Sequence, residues 1–342
     1  MISVSPLDRS QEAAIRALVD GKAKPLGALG RIESLAVRLA LIEGRPAPRC
    51  ERALLLVFAG DHGLNEAGVS AYPSSVTAAM VGTLLAGRAS ANAFAGAVGA
   101  EVRVVDAGVA ADLAPHPALV DAKVRKGTRN AELVAALTEA EVELALRHGA
   151  ALARKAVEEE GFHVLAVGEM GIGNSASAAL VLHRLAPAPL DDCIGPGAGH
   201  DAEGMARKRQ VLARAAARSP ASEPREVLAQ FGGLEIAMMA GAILGAGACR
   251  RPVLVDGFIS TTAALAAIRL QPAVADYCIF AHRSAETGHA IALAAAGAEP
   301  LLDLSMRLGE GTGALLALPL LRAAAGLLTG VADLEDVLAG RL

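Results

Sequence analysis

The sequence contains no tryptophan, and aromatic residues make up only 2 % of its 342 positions. Proteins that bind single-stranded nucleic acid usually stack the bases on aromatic side chains. A surplus of positive charge is also missing, because 32 Lys and Arg residues face 36 Asp and Glu residues, which gives a formal net charge of −4. Nucleic acids and acidic membranes attract basic surfaces. We therefore expect neither a nucleic acid nor a membrane as partner.

Cysteines and long apolar runs are scarce as well. The four cysteines lie far apart in the chain and form no Cys-x-x-Cys pair, which argues against a disulfide framework or a zinc site and favours buried thiols in a reducing compartment. The uncharged stretch 236–249 is shorter than the ~20 residues of a membrane span. The first residues carry charges and are typical of a helix, so we expect a cytoplasmic protein.

Hydrophobic residues nevertheless make up 53 % of the chain, and many of them occur in short apolar runs. A polar or glycine-rich turn follows each run, and a helical pattern follows most of these turns. Near-continuous apolar strands alternating with helices indicate a parallel sheet that is covered on both faces. We predict an α/β fold with a mainly parallel, Rossmann-like sheet and helices on both faces. The predicted strands are 54–58, 102–105, 164–167, 253–255, 277–280 and 301–304.

The chain ends have a different pattern. Residues 11–19 and 33–42 are predicted to form helices, and 315–342 is again helical. We predict an α/β catalytic domain over 51–314 and a small helical domain that combines 1–50 with 315–342.

Parallel strands joined by right-handed crossovers end at one edge of a sheet, and ligands of open α/β sheets bind at that edge. Residues 171–175, Gly-Ile-Gly-Asn-Ser, follow a predicted strand and open a helix. Glycines let the backbone approach an anion closely, and a helix N-terminus offers free N–H groups. This loop is a candidate phosphate site, or else a tight turn with an N-cap residue. It matches neither the dinucleotide fingerprint nor the P-loop.

A second glycine-rich loop, 195–199, precedes a helix that carries Lys208. Lys208 could approach the same phosphate as a point charge. Alternatively, the loop is flexible and Lys208 lies on a solvated helix face.

Glu310 lies between two glycines after a predicted strand, in Gly-Glu-Gly-Thr-Gly. A carboxylate in this position suits a general base, but a glutamate that stabilises a helix N-terminus would have the same pattern. Glu169 presents the same two alternatives at the end of another strand.

The Asp61-His62-Gly63 segment suggests a metal site or a catalytic triad. The eight histidines are scattered singly, however, and no partner histidine stands at ligand spacing from His62. The chain also lacks the Gly-x-Ser-x-Gly motif of hydrolases. We expect no metal and no cofactor, and a structural or substrate-lining role for His62, His282 and His289.

Taken together, several segments resemble one family, the nicotinate-nucleotide–dimethylbenzimidazole phosphoribosyltransferases of cobalamin nucleotide-loop assembly. They span almost the whole chain in order. The matching segments are KPLGALGRIE (24–33), FAGDHGLNEAGVSAYP (58–73), VGEMGIGNS (167–175), FGGLEIAMMAGA (231–242), VDGFISTTAAL (255–265), HRSAETGH (282–289) and RLGEGTGALLALPLLRAA (307–324).

The resemblance implies a homodimer that transfers the phosphoribosyl group of nicotinate mononucleotide to 5,6-dimethylbenzimidazole, with Glu310 as the general base. Residues implied to bind the donor are Glu169, Gly171, Gly173, Asn174, Ser175, Lys208 and Ser284. Residues implied to bind the aromatic base are Asp61, His62, Ser74, Ser75, Met80, Leu308 and Gly309.

The chain departs from the family pattern at Ser74-Ser75, where Gln-Glu is more usual, in the glycine loop 195–199, and at Ser175-Ala176, where Thr-Thr is usual. The first departure leaves open another base, such as adenine or a phenol. A non-catalytic nucleotide-binding relative is a further alternative, which the retained Glu169 and Glu310 argue against. A nicotinamide dehydrogenase is disfavoured because the dinucleotide fingerprint is absent.

Overall fold

The computed structural model describes residues 2–197 and 199–341. Ala198, in the second glycine-rich loop, and the two terminal residues lie outside this description. The strands are β1 (Ala53–Gly60), β2 (Glu101–Gly108), β3 (Leu119–Asp121), β4 (Val164–Met170), β5 (Val253–Val255), β6 (Cys278–Phe280), β7 (His282–Arg283) and β8 (Leu302–Asp303).

Within the described residues, fourteen α-helices surround these strands. They are α1 (Glu12–Asp20), α2 (Arg31–Glu43), α3 (Ser75–Leu85), α4 (Ser90–Val98), α5 (Glu139–Arg154), α6 (Asn174–Leu185), α7 (Leu190–Cys193), α8 (Ala202–Arg218), α9 (Pro224–Phe231), α10 (Leu234–Ala248), α11 (Phe258–Leu270), α12 (His289–Ala295), α13 (Thr312–Gly330) and α14 (Leu334–Leu338). Short 3₁₀ or π turns occupy 63–67, 155–159 and 272–277.

Six strands form one parallel sheet in the order β3-β2-β1-β4-β5-β6. This is the doubly wound order in which the direction of winding reverses between β1 and β4. β1 is buried along its whole length, as expected of a central strand covered on both faces. The predicted α/β fold with a parallel sheet is confirmed.

Two groups of helices pack against the sheet. α5, α10 and α11 belong to the first group, in which α10 contacts β1, β2, β4 and β5. The axes of α5 and α10 come close because glycines face the crossing: a Cβ atom added at Gly149 would lie 1.9 Å from the Met238 carbonyl oxygen, and one at Gly241 would lie 2.1 Å from that of Leu146. α4 and α13 belong to the second group.

The two ends of the chain meet beside the sheet. α1 packs on α2, and α2 packs along α13. The Ala23 N–H donates to the Ala332 carbonyl at 2.9 Å, and Lys22 Nζ lies 3.0 Å from Asp333 Oδ1. Because α13 also contacts β4 and β5, it connects the terminal helices to the sheet. The division into two domains stays a prediction.

Two predicted strands differ from the observed ones. The run 301–304 does not extend the main sheet, because only Leu302–Asp303 is extended and it pairs in parallel with His282–Arg283. β3 was not predicted, since its three residues are only partly buried and form no apolar run.

Within the described residues, α13 has the length and apolar composition of a membrane span, but half of its most apolar window is buried inside the protein. Arg322 in this helix donates to the carbonyls of Cys50 and Glu51. Core helices of soluble proteins have this character, so the helix is weak support for a membrane location.

Candidate active site

A cavity of about 500 Å³ opens at the carboxyl ends of the central strands. Its walls come from six stretches of chain: 70–80 after β1, 169–175 at the end of β4, Gly197 of the second glycine-rich loop, 256–260 after β5, 282–286 after β6, and 307–310 before α13. Of the residues predicted from strand ends, Glu169, Ser284 and Glu310 meet at this cavity, as expected for an open α/β sheet.

The predicted phosphate loop forms part of this wall. Gly171, Gly173, Asn174 and Ser175 all line the cavity, and α6 begins at Asn174. Gly173 has φ +91°, a left-handed conformation that favours glycine. The first N–H groups of a helix have no partner within the helix. The loop therefore has the geometry of an anion site.

Lys208 lies behind this loop and is fully buried, so it does not line the cavity. Its Nζ donates to Ser175 Oγ at 3.0 Å and to the Gly195 carbonyl at 2.9 Å. Burial lowers the pKa of Lys208 to about 8. Its position joins the two glycine-rich loops and puts a positive charge behind the proposed phosphate position.

Ser284 lines the same end of the cavity and donates its N–H to His289 Nδ1 at 2.7 Å. Two charged neighbours, Glu286 and Arg307, also line this end. Arg307 Nη1 donates to the Gly197 carbonyl at 3.0 Å, and burial raises the pKa of Glu286. The sequence does not indicate either residue as part of the site, because no spacing links them to the glycine loops.

Glu310 stands in the middle of three consecutive residues with left-handed backbone. φ is +91° at Gly309, +61° at Glu310 and +82° at Gly311. An L-residue in this region costs about 1–2 kcal/mol, and such strain concentrates at functional sites. A Cβ atom at Gly309 would lie 2.3 Å from Glu169 Oε1, which explains why glycine precedes Glu310.

The Glu310 carboxylate is buried at the cavity wall and accepts the Ala91 N–H of α4 at 3.4 Å through Oε2. Burial raises its pKa, the Ala91 N–H opposes this shift, and Asp256 adds to it. A carboxylate with a raised pKa in a cavity suits a general base. It also lies at the N-terminus of α4, so both roles considered for Glu310 are compatible with its geometry.

Glu169 is a second buried carboxyl group in the cavity wall. Asn174 Nδ2 donates to its Oε2. Burial, followed by the charges of Asp256 and Glu235, raises the pKa of Glu169 to about 8. This group is therefore largely protonated at neutral pH and can donate a hydrogen bond as well as accept one.

The predicted base-binding residues divide into two sets. Met80, Leu308 and Gly309 line the cavity. Ser74 and Ser75 do not: Ser74 Oγ accepts from Asn65 Nδ2 at 3.0 Å, and Ser75 is exposed at the start of α3.

The face of α3 that points to the cavity explains this division. Val76 and Met80 are one helical turn apart and both line the cavity, whereas Ser75 projects about 100° away from Val76 around the helix. Tyr72 adds an aromatic ring at the rim. Helical phase, applied to α3, could have identified Val76 from the sequence.

Asp61 and His62 lie behind the cavity wall and do not line it. Asp61 Oδ2 accepts the Ala110 N–H at 2.8 Å, and His62 Nε2 lies 2.7 Å from Glu235 Oε1 in a fully buried pair. Burial lowers the pKa of His62, but Glu235 and Asp61 outweigh this effect and raise it. A Cβ atom added at Gly173 would lie 3.6 Å from His62 Cβ, so His62 packs behind the glycine loop.

Asp256, at the end of β5, is a cavity-lining residue that we did not select. It is buried, and its carboxylate accepts three backbone N–H groups of the segment 311–314. The sequence signal was its position after an apolar strand, shared with Asp61 and Glu169. Among the described residues, no group of three or more Asp, Glu, His or Cys side chains is arranged to hold a metal ion.

A helix N-terminus, an apolar wall and a buried carboxyl group meet in one cleft at the carboxyl edge of the sheet, where α/β enzymes of this open-sheet class bind their ligands. A sequence model described as phosphoribosyltransferase matches residues 4–337. The chain belongs to this phosphoribosyltransferase family, which confirms the resemblance found in the motifs.

Similar proteins carry a more specific name. The nicotinate-nucleotide–dimethylbenzimidazole phosphoribosyltransferase of Cupriavidus necator is 50 % identical over 330 residues, which cover 96 % of this chain and 95 % of that protein. The protein of the same name from Ralstonia nicotianae is 51 % identical, covering 96 % and 94 %. The crystal structure of CobT from Thermus thermophilus has a TM-score of 0.92 at 44 % identity and covers 95 % of this chain and 98 % of its own.

Proposed function

We propose that this protein transfers the 5-phosphoribosyl group of nicotinate mononucleotide to 5,6-dimethylbenzimidazole, giving nicotinate and α-ribazole 5′-phosphate for the lower ligand of cobalamin. The names of the similar proteins support the two substrates. The observation that carries the proposal is the cavity itself, in which the Glu310 carboxylate and the loop 171–175 line the walls of one cleft.

The donor needs an anion site and a place for its leaving group. The backbone of 171–175 at the start of α6, with the Lys208 charge behind it, suits the 5′-phosphate. Nicotinate leaves from a positively charged pyridinium, so the electron pair of the breaking C1′–N bond neutralises the ring nitrogen. This leaving group is already activated. Binding of the remote phosphate then contributes mainly by positioning C1′.

The acceptor needs a flat apolar wall and a base. Val76, Met80 and Leu308 provide apolar surface, and Met adapts to different ring shapes. One ring nitrogen of the benzimidazole attacks C1′ from the face opposite to nicotinate, which inverts the configuration from β to α. The other ring nitrogen loses its proton to Glu310. The protonated Glu169 adds a hydrogen-bond donor near the reacting groups.

A direct assay tests the proposal. The purified protein is incubated with nicotinate mononucleotide and 5,6-dimethylbenzimidazole, and the products are separated by chromatography and identified by mass. We expect one nicotinate for each α-ribazole 5′-phosphate. No nicotinate release from folded protein would favour a non-catalytic nucleotide-binding relative and refute the proposal.

The same assay with a panel of bases tests the choice of acceptor. Adenine and phenols replace 5,6-dimethylbenzimidazole as the acceptor in separate reactions. We expect the highest kcat/KM with the benzimidazole, because Tyr72, Val76 and Met80 form an apolar wall with few hydrogen-bonding groups. A higher kcat/KM with adenine would replace the proposed acceptor but keep the proposed donor.

We further propose a cytoplasmic homodimer. Apolar side chains exposed near the chain ends, at Leu26, Leu334 and Leu338, are compatible with a contact between two copies. Light scattering on the purified protein tests this, and a monomeric mass at micromolar concentration would contradict it.

A further inference from the structure

We propose that Asp256 is a positioning residue, which holds the Glu310 turn in its left-handed conformation and supplies the negative charge that faces the Glu310 carboxyl group. The inference rests on the proposed transferase function, because it concerns the base of that reaction. It adds a role for a residue at the end of β5, next to the two segments that carry Glu169 and Glu310.

Three hydrogen bonds connect Asp256 to the turn. Its Oδ2 accepts the Gly311 N–H at 3.2 Å, and its Oδ1 accepts those of Gly313 at 2.7 Å and Ala314 at 3.0 Å. Gly311 is the last residue of the left-handed triplet, and the other two lie in the first turn of α13. One side chain therefore caps the helix and closes the turn that presents Glu310.

Other contacts also hold the turn, but Asp256 is the side chain that accepts the Gly311 N–H. The Glu310 N–H donates to the Glu169 carbonyl at 3.3 Å, and Thr312 Oγ1 donates to the Gly309 carbonyl at 2.8 Å. A non-glycine residue with positive φ persists only where surrounding contacts determine its conformation. Loss of the Asp256 acceptor would allow residues 309–311 to relax and would move the Glu310 carboxylate.

Charged and polar groups from several elements surround Asp256 and Glu310. Glu310 is faced by Asp256, by Glu169 of β4 and by the Ala91 N–H of α4, and Asp256 Oδ1 lies 3.6 Å from His282 Nε2. Glu235 of α10 also raises the pKa of Glu169.

The effect of Asp256 on its neighbours has a definite sign. Burial raises the pKa of Asp256 above its ordinary value, although His282 and the backbone N–H donors oppose this rise. The geometry, three N–H donors directed at one carboxyl group, favours its ionised form. After burial, Asp256 is the neighbour that raises the pKa of both Glu169 and Glu310. An ionised Asp256 therefore makes Glu310 a stronger base.

Two substitutions separate geometry from charge. Asp256→Asn keeps the shape but removes the charge and turns an NH₂ group toward an N–H donor. Asp256→Glu keeps the charge but displaces the carboxylate by one methylene. We expect kcat to fall on the order of 10²-fold in both variants, as small displacements of reacting groups do, with little change in the KM for nicotinate mononucleotide.

The pH dependence of kcat distinguishes the two variants. The acid limb follows deprotonation of Glu310, so removal of a neighbouring negative charge lowers its midpoint. We expect the limb to move to lower pH in Asp256→Asn, on the order of one unit, and to stay in place in Asp256→Glu. A purely structural role for Asp256 predicts lower kcat without movement of the limb in either variant.

A direct titration provides a readout that does not depend on turnover. The ¹³C carboxyl signal of Glu310 is assigned as the one missing from the Glu310→Gln spectrum, and its midpoint is compared between wild type and Asp256→Asn. An unchanged midpoint overturns the proposal, as does a folded Asp256→Asn variant with wild-type kcat. If the wild type releases no nicotinate, the proposed function fails while this titration still tests the role of Asp256.

Folding is checked by circular dichroism. If Asp256→Asn does not fold, Asp256→Ser, whose small side chain leaves room for water, carries the same predicted sign. If neither neutral variant folds, Asp256 is required for folding itself, and the positioning assignment is wrong.

Discussion

Replacement of Glu310 by glutamine should separate catalysis from stability, because the two respond to its carboxylate with opposite signs. Glutamine keeps the shape of the side chain and an oxygen that can accept the Ala91 N–H, which lies 3.4 Å away in the wild type. It cannot accept a proton from the incoming base. Loss of a general base typically lowers rates ~10² to 10⁴-fold, which is about 3–5 kcal/mol of activation free energy.

The effect of Glu310→Gln on folding stability follows from the raised pKa of Glu310, and the main cause of that rise is burial. A carboxyl group with a pKa higher in the folded than in the unfolded protein contributes stability below its unfolded pKa and loses that contribution as pH rises through its folded pKa. Glutamine stays neutral at every pH. We therefore expect the melting midpoint of Glu310→Gln to equal or exceed that of wild type at pH 8, and the difference to shrink toward pH 4.

The alternative role, a helix-capping glutamate, predicts the reverse. Loss of a charge at the N-terminus of α4 would then destabilise the protein by ~0.3–1 kcal/mol and leave turnover nearly intact. The assay measures kcat from nicotinate release and the melting midpoint on the same preparation. Glu299→Gln is a suitable control, since Glu299 is exposed and does not line the cavity. Near-normal kcat in folded Glu310→Gln would refute the general-base role.

Three further substitutions test the rest of the site. Gly173→Val should raise the KM for nicotinate mononucleotide, because a side chain blocks close backbone approach to the phosphate. The control Gly99→Val, also at positive φ but with open space around it, should leave that KM unchanged. Equal donor affinity in both variants would place the phosphate elsewhere. Met80→Ala should alter the KM for the aromatic base more than Ser75→Glu does, since only Met80 lines the cavity, and a base ranking that follows Ser75 instead would contradict this. Glu169→Gln should retain donor binding at pH 7 and abolish any decline of kcat/KM above pH 8. Glutamine mimics the protonated form, which Glu169 loses as pH rises through its pKa of about 8. A decline that persists in this variant would assign the titration to another group.

The sequence predicted the sheet well because its central strands are buried on both faces and therefore appear as uninterrupted apolar runs. The run 54–58 is the clearest case, and it lies within the fully buried β1. The run 301–304 has a similar composition but pairs with His282–Arg283 outside the main sheet. Composition identifies an extended segment, but its pairing depends on tertiary contacts that no local pattern contains.

The sequence predicted which chain segments form the site, but it did not predict which way each side chain points. Glu169 lines the cavity from the end of β4, and Glu310 lines it from the segment before α13, whose backbone donates to the Glu169 carbonyl and to Asp256. Lys208 points at the back of the glycine loop, since its Nζ donates to Ser175 Oγ and the Gly195 carbonyl. Asp256 had only the signal of its position after an apolar strand, because its hydrogen-bond partners are three backbone N–H groups 55 to 58 residues further along the chain.

The strand order gives the two substrates separate parts of the chain. Residues that face the proposed base, Tyr72, Val76 and Met80, follow β1, whereas the anion loop 171–175 follows β4. These strands are adjacent in the sheet but distant in the chain, and the winding direction reverses between them. Variation in the segment 70–80 can therefore change acceptor preference while the donor site keeps its own sequence. We expect exchange of this segment between relatives to transfer most of the acceptor preference, while Leu308 and Glu310 keep their places before α13.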